Sequence, residues 1–131
     1  MNKKNQGFTV IEIIFVVVLL GTASILFFIQ KNNLEVVSRD DKRKIAINAM
    51  YYSLEEVFYT ANQFYPPTIS SDNLKSIDPD LFIDSNDTKI GEAGSIYTYE
   101  PTNCTDNKCK SYTLKTVLEN EADFIKTSKN N

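Results

Sequence analysis

Residues 13–29 carry no charge, and residues 8–11 just ahead of them are mostly apolar. As a helix, residues 13–29 would extend roughly 25 to 30 Å, about the thickness of a bilayer's hydrocarbon core. No other feature limits the fold as much, because a run of this length and character belongs in lipid or inside protein. Averages conceal it. The 131 residues are 42% hydrophobic and include 14 Lys and Arg against 17 Asp and Glu, yet Lys3, Lys4 and Glu12 are the only charges ahead of Lys31. The chain therefore has an apolar end and a polar remainder able to build only one small core.

Composition removes several chemistries. Without His there is no Ser-His-Asp or Cys-His nucleophile, no imidazole base and no histidine-containing metal site. A net charge of −3 argues against a basic nucleic-acid surface as the purpose of the whole chain. Cys104 and Cys109 are too few for a tetrahedral zinc site and sufficient for one disulfide.

Three readings of the apolar run compete. A cleavable secretory signal has a similar basic start, and Thr22, Ala23 and Ser24 are small enough for its peptidase, but the apolar run continues past them to Ile29. A plain anchor accounts for the hydropathy and leaves Glu12 without a role. A charge deep in a membrane helix costs roughly 2.5 to 3.5 kcal/mol on insertion scales, which by default marks a functional residue with a partner. Lys3 and Lys4 place the N-terminus in the cytoplasm and residues 30–131 outside.

The third reading comes from KKNQGFTVIE and the apolar helix after it, which resemble the class III signal of type IV pilins and pseudopilins. The resemblance implies a leader, residues 1–7, ending at Gly7; cleavage between Gly7 and Phe8 by a membrane prepilin peptidase; N-methylation of Phe8; and an assembly role for Glu12. It implies a transmembrane and assembly helix over residues 8–29 and an extracytoplasmic head over residues 30–131. The fold expected is α+β and pilin-like, a long N-terminal helix packed on a small antiparallel sheet. The function implied is that of a structural filament subunit, not an enzyme, serving adhesion, twitching motility or DNA uptake. Its partners would be prepilin peptidase, other copies of itself in a helical filament, the pilus assembly machinery, the cytoplasmic membrane, and DNA or a surface ligand. It would reside in the cytoplasmic membrane and then in an extracellular pilus. A pseudopilin of a secretion or competence system is the nearest alternative, and a monomeric anchored binding domain a more distant one. No cofactor or metal is expected. Many family members carry a Pro late in the apolar helix, whereas here the first Pro is Pro66 and only Gly21 softens the segment.

In physical terms, removal of the leader leaves an amine on Phe8 in or near an apolar phase, and Glu12, one turn on, is a counter-charge for a neighbouring subunit's amine. Beyond the apolar run, the spacing predicts helix up to Tyr65, stopped by Pro66 and Pro67. Ile47, Met50, Leu54, Val57, Ala61 and Phe64 form one apolar face, and Arg39 to Lys44 with Glu55 and Glu56 supply charge. Tyr51, Tyr52, Phe58, Tyr59 and Tyr65 thicken that face as core packing.

A short helix is expected near residues 74–77, and a new turn at Asp78-Pro79. Asp78, Asp80, Asp84 and Asp87 form an acidic loop whose spacing fails the EF-hand pattern. Alternation at period two predicts strands over residues 95–100 and 112–118, and a third over 123–127. Cys104 and Cys109 then fall in the loop between the first two strands, where a disulfide would contribute about 2 kcal/mol, with a free pair as the alternative. Asn86-Asp87-Thr88 and Asn103-Cys104-Thr105 match the short glycosylation acceptor pattern.

Overall fold

The structure is a computed structural model that describes residues 7–130. It is α+β: helix α1 (Val10–Tyr52), a π-helical turn (Ser53–Tyr59), a last helical turn α2 (Thr60–Asn62), a 3₁₀ turn (Pro79–Phe82), and strands β1 (Tyr97–Thr105), β2 (Lys108–Thr116) and β3 (Phe124–Thr127). The chain divides into two compact units, Met1–Glu35 and Val36–Asn131.

In the first unit the helix is apolar all round. An 18-residue window within it has a mean hydropathy of 2.7 and none of it is buried, so the helix is long and apolar enough to cross a membrane. Its hydroxyls are satisfied internally, Thr22 Oγ1 donating to the Leu19 carbonyl at 2.9 Å and Ser24 Oγ to the Leu20 carbonyl at 2.8 Å. Such internal pairing is what hydrocarbon demands of a polar group.

In the second unit the helix is amphipathic. Ala46, Ile47, Met50 and Leu54 pack against Tyr97, Cys109, Tyr112 and Leu114 of the sheet. The connecting segment contributes more core than its polar composition suggests, through Ile69, Leu74, Ile77, Phe82 and Ile90. Burying each of these large side chains stabilises the fold by roughly 1.5 to 3 kcal/mol. The sheet is the expected antiparallel meander, in the order β1-β2-β3.

Four expectations need correction. The helix ends at Asn62, not Tyr65, because Gln63 turns left-handed (φ 61°) and Tyr65 is drawn into a two-way backbone pair with Cys109, at 2.8 and 2.9 Å. The predicted apolar face fails after Leu54, and Val57 is 53% exposed. There the wider π turn rephases the surface, burying Ser53, Leu54 and Glu55 in succession. Residues 74–77 form turns and no helix, since the Asn73 side chain holds the backbone just before them: Ser70 N–H donates to Asn73 Oδ1 at 2.9 Å, and Asn73 Nδ2 to the Thr68 carbonyl at 2.7 Å. Pro79 does open a turn, with Asp78 accepting from the Asp80 amide at 3.1 Å.

The fourth correction concerns the cysteines, which lie within β1 and β2 and not in a loop. Asp106 and Asn107 have φ of 50° and 63°, as a two-residue type I′ hairpin turn requires, and Cys104 faces Cys109 across the ladder. The two form a disulfide. Pro101 does not end β1, because an edge strand tolerates a residue without an amide hydrogen.

Candidate functional site

At the N-terminal segment, Gly7 and Phe8 precede the helix, and Phe8 is 78% exposed. Thr9 holds the capping position, Val10 begins the helix and Glu12 is its third residue. The Glu12 carboxylate accepts from the Thr9 amide at 3.4 Å and the Thr9 hydroxyl at 3.5 Å. This is the carboxylate half of a capping box, for which Thr-x-x-Glu is the sequence signal. Residue spacing alone could have revealed it. Glu12 thus has a local partner within its own chain. Lys3 and Lys4 lie outside the described residues.

The second unit holds two buried charged clusters, built on Asp40 with Arg43 and on Glu55. Asp40 and Arg43 are buried although they sit in the most charged stretch of the helix. Asp40 accepts from the Glu119 amide at 2.9 Å, the Asn120 amide at 3.0 Å and Arg43 at 3.1 Å. Burial pushes its pKa up, but the two amides and the guanidinium outweigh it and hold Asp40 below the ordinary carboxylate range. Arg43 also reaches the Val117 carbonyl at 3.3 Å and Glu119 at 2.7 Å, and Arg39 grips Glu119 through two bonds at 2.9 and 2.7 Å. The Arg39 fork, with Arg43 behind it, pulls the Glu119 pKa down to about 2. The network fastens the β2–β3 link to the helix.

Glu55 anchors the other cluster. It is buried, and its carboxylate accepts from Tyr65 Oη at 3.0 Å, Tyr112 Oη at 2.8 Å and the Lys129 amide at 3.3 Å. One side chain thereby joins the π turn, the chain after the helix, β2 and the C-terminal segment. Burial raises both tyrosine pKa values and the Glu55 charge adds to it; Tyr65 reaches about 12, against the opposing Asn130 contact.

The acidic loop is built by its own carboxylates. Asp84 is buried and accepts from the amides of Asn86 at 2.8 Å, Thr88 at 3.0 Å and Ile96 at 2.9 Å. Burial opposes ionisation there, but the amides prevail and its pKa is lowered. Among the described residues no group of three or more His, Cys, Asp and Glu side chains is placed to hold a metal ion. Gly7, Phe8 and Glu12 cluster in the first unit, Cys104 and Cys109 in the second.

Comparison of the chain with protein-family models, curated proteins and solved structures finds no match.

Proposed function

We propose that the chain is a pilin-like structural subunit of a type IV pilus-like surface filament. In this reading prepilin peptidase removes residues 1–7, Phe8 becomes the methylated N-terminus, residues 8–29 hold the subunit in the cytoplasmic membrane, and helix packing carries it into the filament. Its role is architectural and not catalytic.

The observation that carries the reading is the placement of Gly7 and Phe8 directly ahead of a helix that has Glu12 in its first turn and whose large apolar side chains, as far as Ile29, are about half to four-fifths exposed. That much unpartnered apolar surface requires lipid or other subunits to cover it. A small α+β unit with its own core and a disulfide follows, suited to an extracytoplasmic setting.

The test is cleavage. Membranes carrying the full chain are incubated with a prepilin peptidase, and the product is weighed by mass spectrometry. The expected product has lost residues 1–7, and its Phe8 amine gains a methyl group when the methyl donor is present. An intact leader under conditions that process a known prepilin would overturn the proposal.

A further inference from the structure

A groove of about 740 Å³ lies between the end of the helix and the tip of the β1–β2 hairpin. That volume is within the range of small-molecule clefts, ~300–1,000 Å³. Tyr59 and Phe64 line it with aromatic surface, Asn62, Gln63, Asn103 and Asn130 with amides, and Asp106, Lys108 and Lys110 with charge.

Three of these amides are committed on one side only. Asn62 donates to the Phe58 carbonyl at 2.9 Å, Gln63 to the Tyr59 and Thr60 carbonyls at 3.3 Å each, and Asn130 to Tyr65 Oη at 3.4 Å. Their donors face protein and their carbonyl oxygens remain as acceptors. Asn103 is the unusual member. Its φ is 54° within β1, three residues before the hairpin turn and beside the disulfide cysteine, where the ladder calls for extended backbone. The ladder pairs Thr102 with Ser111 and Cys104 with Cys109 on either side of it. Opposite this point the burial of β2 slips by one residue, so that Cys109 is buried after Tyr112 and Lys110 stays exposed at the groove. Backbone strain of this kind is retained where surrounding structure enforces it, and it concentrates at binding sites.

The mixture of groups selects a ligand class. An anion would meet Asp106 and the amide oxygens, a basic peptide would meet two lysines, and an apolar molecule would strand all of these unpaired. A chain of sugar rings fits the remaining groups: hydroxyls donate to the amide and Asp106 oxygens and accept from Lys110, while ring C–H faces lie on the aromatic surface beside Lys108, whose ammonium sits over the Phe64 ring at 5.3 Å from its centroid. We propose that this groove binds neutral oligosaccharides. The proposal goes beyond filament assembly and does not depend on it.

The test uses the full chain in a sugar-free zwitterionic detergent, titrated with cellotriose, maltotriose and triacetylchitotriose and followed by calorimetry. At least one trisaccharide is expected to bind. Asn103→Gly, which accepts the left-handed backbone and removes only the amide, and Lys110→Ala should each weaken it by on the order of tenfold, the loss of about one good hydrogen bond. Near-ultraviolet circular dichroism of the tyrosines checks that both variants remain folded, and Glu56→Gln, outside the groove, should bind as the parent does. The proposal is overturned if none of the three sugars binds, or if binding is equal in the folded Asn103→Gly and Lys110→Ala variants and the parent.

Discussion

Glu55 is the residue whose replacement should cost the second unit most for its size. Glu55→Ala leaves the Tyr65 and Tyr112 hydroxyls without the acceptor they share at 3.0 and 2.8 Å. Two hydrogen bonds to a charged group contribute about 1.5 to 3 kcal/mol each, and the long Lys129 contact adds little. Removing the buried carboxylate also removes its desolvation cost, which returns part of that sum, so a net loss of about 2 to 4 kcal/mol is expected. The triple replacement Glu55→Leu, Tyr65→Phe, Tyr112→Phe should lose less than Glu55→Ala alone, since it deletes the orphaned donors together with the acceptor. Urea unfolding of the full chain in detergent, read by tyrosine near-ultraviolet dichroism, measures both. If Glu55→Ala lies within about 0.5 kcal/mol of the parent, or the triple variant is no more stable than the single one, the cluster does not hold the fold in the way described.

Two predictions concern pH and one concerns processing. Burial raises the pKa of Tyr65, Tyr97, Tyr99 and Tyr112, Tyr65 to about 12. Their stabilisation is therefore complete below about pH 10, the unfolded value, and is lost as pH rises through the folded values; absorbance at alkaline pH should show these tyrosines ionising late and as the fold opens. Asp40, Asp84 and Glu119 are shifted the other way, Glu119 to about 2. Their contribution is present above about pH 4 and declines as pH falls toward 2, so unfolding between those values should flatten in Asp40→Asn. Gly7→Val should leave the leader attached when membranes are weighed, because a branched side chain obstructs close approach to the scissile bond.

The elements with a clear period were legible in the sequence. The apolar run, the amphipathic stretch as far as Leu54 and the three-strand meander follow from spacing alone. The losses arise where a residue's environment is decided by distant partners. Asp40 sits beside Asp41 and Lys42, and nothing local announces that the amides of Glu119 and Asn120 will dehydrate it. Glu55 next to Glu56 reads as solvated surface, and only the π turn, which has no sequence signature of its own, brings it inward. Two misses had local signals. Asp106-Asn107 between two cysteines is a type I′ turn pair, and Thr9-x-x-Glu12 is a capping pattern.

That second pattern gives Glu12 two accounts that a single substitution separates. As a cap, its carboxylate takes the Thr9 amide at the head of the helix. As an assembly residue, its charge neutralises the Phe8 amine of a neighbouring subunit after cleavage. A glutamine serves a capping box nearly as well as glutamate and carries no charge. It also removes the roughly 2.5 to 3.5 kcal/mol that a charge costs within a membrane helix, so poor insertion could not explain any defect it produced. Glu12→Gln should therefore give processed, membrane-inserted subunits and few filaments by electron microscopy and sedimentation, while Glu12→Ala loses both functions. Should Glu12→Gln assemble as the parent does, the charge is dispensable and the contact with Thr9 is sufficient reason for a carboxylate at that position.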